Sequence, residues 1–558
     1  MGATDDARTF GWLARKLGED EAVPAPRRPE EGASRPGAGQ PPSPASGLWS
    51  VRPDRGRVLG LCALLLTLMA VGAASRSFEY DEAYTHFYLA GLPLPEWPIE
   101  PRTVGALRDW IEGRSSSFMQ IAEDLVRHET HPPLYFWVMV VWRWLFGPGH
   151  FTARVFSVLC AGGSMLVMWR LATVARVPAL PSVACTFLAY AVFYPATLAR
   201  AYSLALLLVL LGALALAVLL RDPERGRRRP LNGAGLALGA GLAFGLAGLS
   251  HYLALLAAAA IGGAFALSSL ARRRVLPVLA IGLGVLPPLL AVLSIRAQQG
   301  SADWFHPDFD FGRDIWRMLE MQAAALFART PLLLDEPWSL LAAVLIAPCS
   351  LLIAGTVLGA ARPIVADPVR RMLLVGAAAM PLGLLLLGVF TDRAPFVSRY
   401  ASYSVPFCAL VFAAGLGRLG ERRPRLAAAV LGYVLLWQAV GAGSQVLWPA
   451  TQQEFRPIVA EVARRWVPGE SVLAMPVGYD HLGKNGPFLW EAPPDWPMVV
   501  VDVPAERAVA RLGPVRRLFL VTFVEQSGEN VLEYLRPALR DAGWKLAETD
   551  EHLEVWSR

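Results

Sequence analysis

The chain has 558 residues, of which 54% are hydrophobic and 18% charged, with a formal net charge of +6 and a mean hydropathy of +0.40. That balance excludes an ordinary soluble enzyme. The positive charge sits in short Arg clusters between apolar runs, so it reads as a topology signal facing anionic lipid and not as a nucleic-acid surface.

Residues 1–56 are rich in Pro, Gly, Ala and charge and lack an apolar core, which predicts a disordered cytoplasmic tail and not a cleavable signal peptide. Apolar runs then recur at 57–75, 152–174, 178–197, 201–220, 231–249, 252–270, 275–295, 338–360, 372–391, 400–417 and 426–446. Each approaches the roughly 20 residues a helix needs to cross a bilayer, so about 11 spans are predicted. The run 134–146, after His131-Pro132-Pro133, has only about 14 residues and fits an interfacial or re-entrant helix. The charges decide this choice. With that run kept out of the membrane, the Arg-rich links 221–229, 272–274, 362–371 and 418–425 all join the basic N-terminal tail on the cytoplasmic side. Segment 76–151, the turns at Arg200 and His251, segments 296–337 and 392–399, and everything after about 447 then face outward. Cys62, Cys160, Cys185, Cys349 and Cys408 all lie in apolar runs without ligand spacing and read as small core hydrophobes.

Polar residues with chemical potential gather on that outward side. Asp81-Glu82 follows the first span; such a pair can supply a general base or simply cap a juxtamembrane helix. His131 precedes two prolines that suit a helix start. Arg200, in Ala199-Arg200-Ala201-Tyr202, and Arg399-Tyr400 can clamp a phosphate or snorkel to headgroups. His251-Tyr252 occupies a similar turn. Trp304, Phe305, His306, Asp308, Phe309, Asp310, Phe311 and Trp316 interleave aromatics with carboxylates, as a sugar site or an interfacial belt would. A divalent metal held by Asp81, Glu82, His86, Glu129 and His131 is conceivable, although no ligand spacing enforces it.

Beyond 451 the pattern changes. Strands are predicted at 471–477, 498–503 and 518–523, alternating with helices near 454–466, 505–512 and 529–542. The expected fold class is thus a polytopic α-helical membrane protein, 57–446, followed by a small α/β domain, 447–558.

Taken in order, Asp81-Glu82, His131-Pro132-Pro133-Leu134, Ala199-Arg200-x-Tyr202, His251-Tyr252 and Arg399-Tyr400 with Pro406 resemble the polyprenyl-phosphate-dependent glycosyltransferases of the GT-C fold. The resemblance is strongest to the protein-mannosyltransferase-like group, which includes the lipid A aminoarabinose transferases. It implies Asp81 as general base or acceptor-binding carboxylate, with Glu82 in support. It implies donor-phosphate contacts at Arg200 and Arg399, with Tyr202 and Tyr400 of the same motifs beside them; substrate contacts are expected at His131, His251, Tyr252, Trp304 and Asp308. Leu198 stands where the family often has an acidic residue, so a second carboxylate from that loop is not carried over. The implied reaction transfers a monosaccharide from a polyprenyl-phosphate donor to a hydroxyl of a protein, glycolipid or polysaccharide, in a bacterial inner membrane. A transporter of lipid-linked sugar and a non-catalytic assembly protein are the alternatives from other classes. The gathering of polar motifs at one face, without an inverted repeat, speaks against the transporter.

Overall fold

The computed structural model describes residues 48–558 except 52, 94–96, 99, 129–130, 223–229, 295–308, 328–336, 393–394, 448–454, 477–485, 502–504, 523–530 and 551. The expected N-terminal tail therefore falls almost wholly outside the described residues, as do Trp304, Phe305, His306, Asp308 and Glu129.

The chain enters the bundle with α1 (Arg55–Ser75), then turns at once into α2 (Tyr80–Ala90), which carries the acidic pair in its first turn. Carboxylates there complement the helix dipole. Gly91, at φ +69, ends α2 in the left-handed region open to glycine. A two-residue strand β1 (Arg102–Thr103) follows, with α3 (Val104–Glu112), α4 (Phe118–His128) and α5 (Leu134–Phe146). The last is the short apolar run. Its Tyr135, Phe136 and Met139 dock on Tyr88 and Leu89 of α2, while Val141, Trp144, Leu145 and Phe146 stay exposed. One docked face and one bare apolar face is the form of a helix lying at a membrane surface.

Next come α6 (His150–Ala175), α7 (Ala179–Phe187), α8 (Tyr190–Ala196), α9 (Tyr202–Arg221), α10 (Pro230–Ser250), α11 (Ala254–Leu270), α12 (Leu276–Ser294) and α13 (Phe311–Phe327). The bundle finishes with α14 (Trp338–Gly359), α15 (Ala361–Ala366), α16 (Pro368–Thr391), a 3-10 turn (Ser398–Tyr403), α17 (Val405–Arg422) and α18 (Pro424–Leu447). Among the described residues seven of these helices are long and apolar enough to span, or eight if the bent pair α7 and α8 forms one span. The other three of the 11 expected spans fall on the shorter apolar helices α11 and α12 and on α17, whose second half carries Arg418, Glu421 and Arg422. The protein is a polytopic helical membrane protein.

Two local devices shape the bundle. The α7–α8 pair bends by 64°, and the Cys185 carbonyl near the break accepts a hydrogen bond from Gln438 Nε2 at 3.0 Å. That satisfies backbone which apolar surroundings would leave unpaired. Helices α10 and α12 press backbone to backbone at Gly241 and Gly284, where any Cβ would collide with Ile281 or Leu238. At the end away from α2, Arg221 donates to the Val174 carbonyl and pairs with Asp367 at 2.8 Å, and Arg370 donates to the Ala175 carbonyl. These arginines close the C-terminus of α6.

The C-terminal segment holds α19 (Phe455–Arg465), β2 (Ser471–Pro476), α20 (Phe488–Glu491), β3 (Pro497–Val501), α21 (Ala505–Ala510), β4 (Arg517–Val521), α22 (Val531–Asp541), β5 (Lys545–Thr549) and β6 (Leu553–Ser557). The sheet order is β1-β3-β2-β4-β6-β5, with β2 parallel to β3 and β4 and the other pairings antiparallel. Strand alternation sends Leu473, Met475, Met498, Phe519 and Val521 to one face and Val472, Ala474, Val499, Leu518 and Leu520 to the other. The first face packs on Phe78, Ala83 and Phe87 of the link after α1 and of α2, so the sheet is built directly onto the helix that bears Asp81.

That junction is specific. Trp490 stacks on Phe78 at 4.4 Å between ring centroids and donates its indole N–H to Glu112 Oε1 at 3.1 Å. Glu491 accepts the Phe78 N–H at 2.5 Å and pairs with Arg456, which also reaches the Ser75 carbonyl. Trp490→Ala should remove about 3–5 kcal/mol, the usual cost of emptying a buried tryptophan site. The readout is the thermal midpoint of the detergent-solubilised protein, and an unchanged midpoint would show that the stack does not hold the sheet to α2.

Candidate active site

Adjacent residues on a helix point about 100° apart, so Asp81 and Glu82 cannot share a target. Glu82 turns inward. It is fully buried, and Arg154 of α6 holds it through both oxygens, Nε to Oε1 at 2.8 Å and Nη2 to Oε2 at 2.5 Å. The Ala199 N–H donates to Oε1 at 2.8 Å and the Glu79 N–H to Oε2 at 3.1 Å. Arg154 spends its remaining donors on the carbonyls of Ala73, Arg76 and Ser77. Burial works to raise the Glu82 pKa, but the Arg154 charge and these hydrogen bonds outweigh it and hold the group below the usual glutamate value. Glu82 and Arg154 thus fasten the start of α2 to α6 and to the link before α9.

Asp81 faces the other way. Its Oδ2 lies 2.9 Å from Nη2 of Arg399, and its side chain keeps 14% exposure. Arg200 donates Nη1 to the Asp81 carbonyl at 2.9 Å and Nη2 to Nε2 of His131 at 2.8 Å, so that imidazole nitrogen is the acceptor. Burial pushes the Asp81 pKa up; the Arg399 and Arg200 charges overcome this and hold it below the ordinary aspartate value. Neither Asp81 Oδ2 nor Arg399 Nε completes an aligned hydrogen bond, so this contact is mainly ionic.

Around the charges stands a set of rings. His251 lies 4.9 Å from Tyr202, 5.6 Å from Tyr400, 5.6 Å from Tyr403 and 6.3 Å from His131, centroid to centroid. Burial lowers the His251 pKa, and the Arg200 and Arg399 charges lower it further. The Arg399 guanidinium carbon is 6.0 Å from the rings of both Tyr202 and Tyr400. Tyr252, next in the turn, is half-buried.

Segments distant in sequence thereby bring together Asp81, His131, Arg200, Tyr202, His251, Arg399 and Tyr400. Glu82 belongs to the supporting pair. His86 packs against both Phe78 and Trp490, on the sheet side of α2. Trp304 and Asp308 lie outside the described residues. No three His, Cys, Asp or Glu side chains among the described residues are grouped to hold a metal. The near neighbours of Asp81 are guanidinium groups, which repel a further cation, so this donor set does not fit a metal. Four contributors were not singled out from sequence: Arg154, Glu79, Tyr194 and Tyr403. Arg154 carried a usable signal, since an arginine inside an apolar span requires a buried partner.

The site and the fold together define a polytopic membrane protein that buries an anion-receptive cluster of guanidinium, imidazole and tyrosine groups around one carboxylate. Residues 130–295 match the family model described as dolichyl-phosphate-mannose-protein mannosyltransferase, a stretch that contains His131, Arg154, Arg200, Tyr202, His251 and Tyr252. The resemblance read from the short motifs, to polyprenyl-phosphate-dependent glycosyltransferases of the protein-mannosyltransferase-like group, is matched over that stretch. Among solved structures the chain is similar to ArnT from Cupriavidus metallidurans bound to undecaprenyl phosphate, with 15% identity, 90% of this chain and 98% of that chain covered, and a TM-score of 0.48. It is also similar to the archaeal oligosaccharyltransferase AglB from Archaeoglobus fulgidus (12% identity, 83% and 69% covered, TM-score 0.42). A third similarity is to the arabinofuranosyltransferase AftD from Mycobacteria (14% identity, 91% and 42% covered, TM-score 0.42). A search of curated protein sequences found no match.

Arg154→Met should cost about 3–5 kcal/mol by stranding Glu82 as a buried charge. Adding Glu82→Leu should return much of that loss, and thermal unfolding of both variants checks it. Acid should weaken the same pair. With its folded pKa depressed, Glu82 contributes fully above the ordinary glutamate range and loses that contribution as the pH falls through it.

Proposed function

We propose that the protein is an integral-membrane glycosyltransferase that moves a monosaccharide from a polyprenyl-phosphate donor to an acceptor hydroxyl, with inversion at the anomeric carbon. The observation that carries this reading is Asp81 set against Arg399 and Arg200, one partly exposed carboxylate beside two guanidinium groups at the end of a membrane bundle. The family match over 130–295 supports it. The Arg-rich links lie at the opposite end, at Arg221 and Arg370, so the positive-inside rule favours an extracytoplasmic site in a plasma membrane.

In this reading the donor phosphate takes guanidinium donors from Arg399 and Arg200, whose fork geometry suits phosphate oxygens. The acceptor oxygen forms a bond to the anomeric carbon while the bond to the phosphate oxygen breaks and its electron pair leaves on the phosphate. Asp81 receives the proton of the acceptor hydroxyl. As found, Asp81 is a weak base because Arg399 favours its charged form. A phosphate that draws Arg399 away removes that restraint and adds a negative charge, so donor binding itself raises the basicity of Asp81. Positioning both reactants at one depth supplies roughly 7–11 kcal/mol, and the guanidinium charges stabilise the leaving phosphate.

Two measurements test this. Asp81→Asn should keep undecaprenyl-phosphate binding and lower turnover of a polyprenyl-phosphate sugar by about 10²–10⁴-fold, the usual size of a general-base contribution. Near-wild-type transfer by that variant would remove Asp81 from the role. Native mass spectrometry of the purified protein should show a polyprenyl-phosphate or its monosaccharide derivative, lost in Arg399→Ala. Retention of only ordinary phospholipid, alike in both, would count against the donor class.

A further inference from the structure

Arg399 serves two carboxylates. Its Nη2 is 2.9 Å from Asp81 Oδ2, and its Nη1 is 3.8 Å from Glu79 Oε1. Glu79 is a buried side chain in the link between α1 and α2, outside every motif that pointed to the site. Tyr194 of α8 donates its hydroxyl to Glu79 Oε1 at 2.5 Å. The Tyr194 ring carries the Arg76 guanidinium at 4.2 Å, and Arg76 Nη1 donates to Gln445 Oε1 of α18 at 3.1 Å. Glu79 Oε2 has no hydrogen-bond partner although it is buried. This chain of contacts runs from α18 through Tyr194 to the cation of the site. Glu79 is also the N-cap residue of α2, in a capping box with Glu82, a role that a neutral side chain can fill as well; burying a charge there is expensive.

We propose that Glu79 is a positioning residue for the donor phosphate: it anchors Arg399 while competing for it, and so sets how tightly the phosphate is held and how free Asp81 is to act as base. The inference rests on the glycosyltransferase reading and deepens it. One guanidinium shared by two carboxylates is held less firmly by either. An incoming phosphate can pull Arg399 off Asp81 while Glu79 keeps it within reach. The Glu79 charge, two residues from Asp81, then adds repulsion that favours protonation of Asp81 at the moment a proton must be accepted. Among the described residues the charged and titratable groups facing Glu79 are Arg76 beside it, Asp81 and Glu82 of α2, Arg154 of α6, Tyr194 of α8, and Arg399 of the 3-10 turn. Burial and the Asp81 charge raise the Glu79 pKa against the opposing pull of Arg76, Arg399 and Tyr194.

The consequence is a split that a structural role does not produce. Glu79→Gln keeps an acceptor for Tyr194 and removes the charge. It should bind undecaprenyl phosphate more tightly, by about tenfold if the lost competition matches one unit of pKa. The same variant should turn over more slowly, and the acid limb of its kcat/KM profile should move to lower pH. Tyr194→Phe should act in the opposite direction on binding, because Glu79 without its hydroxyl donor leans harder on Arg399. The test measures undecaprenyl-phosphate affinity and the pH profile of transfer for the full-length wild type, Glu79→Gln, Tyr194→Phe and Asp81→Asn. Opposite binding shifts in the two Glu79-directed variants, with slower turnover in Glu79→Gln, support the inference. Folded Glu79→Gln that binds as wild type or more weakly, with an unmoved acid limb, overturns it while leaving the function intact if Asp81→Asn is inactive. Should Glu79→Gln not fold, unchanged binding by Tyr194→Phe overturns it. A wild type that binds no undecaprenyl phosphate and transfers no sugar brings down the functional reading, and this inference with it.

Discussion

The buried pair of Arg154 and Glu82 is the constraint on which the rest of the site depends. Two opposite charges taken out of water gain little net stability over apolar replacements, because desolvation consumes most of their attraction. What the pair supplies is geometry. Arg154 donates to the carbonyls of Ala73, Arg76 and Ser77 around the end of α1 as well as to Glu82, and Glu82 accepts from Ala199 and Glu79. One interaction therefore sets the ends of α1 and α2, the start of α6 and the link that carries Arg200. Asp81, the residue just before Glu82 in the helix, inherits its direction from that fastening.

The charge balance explains how the cluster can be both stable and receptive. Asp81 and Glu79 face Arg399, with Arg200 and Arg76 close by, so neither sign lies wholly unpaired. Yet the pairs are imperfect. Arg399 leaves Nε without an aligned acceptor, and Glu79 and Asp81 each leave an oxygen without an aligned donor. Polar atoms that are buried and unaligned gain from a ligand that supplies the missing partners. A tetrahedral anion offers acceptors to the guanidinium groups, and a hydroxyl offers a donor to the carboxylates.

Much of the architecture was legible because it follows from periodicity. The apolar runs, the surface helix Leu134–Phe146 and the three central strands all came from hydrophobic pattern and length, and each element lies within a few residues of its expected place. The edge strands β1 and β5, and β6 beside β5, were missed. Lys545–Thr549 is wholly exposed, so it lacks the apolar alternation that marks a half-buried strand, and β1 is only two residues long. Within the site, the motifs led to Arg200 and Arg399, and the structure draws both onto Asp81. The resemblance put Glu82 in support of Asp81 without saying how, and helical geometry already implied that two neighbours would part. Glu79 and Tyr194 carried no signal at all, since their pairing exists only when α8 bends back against the end of α1.

The contrast between the two halves of the ion pair gives the site its character. Asp81 is built on scaffold. Arg154 fixes the residue beside it, and Glu491 and Trp490 of the sheet-bearing segment fix Phe78 just before it. The described contacts of Arg399 are of another kind: the carboxylates of Glu79 and Asp81 and the rings of Tyr202 and Tyr400. An anion arriving at the cluster therefore competes with charge for the arginine and leaves the carboxylate's framework untouched. A base that stays in place while its counter-ion is drawn away can gain proton affinity without moving. In the proposed reaction the C-terminal sheet would have a physical part, because its contacts at Phe78 hold the segment that carries Asp81 while Arg399 changes partners.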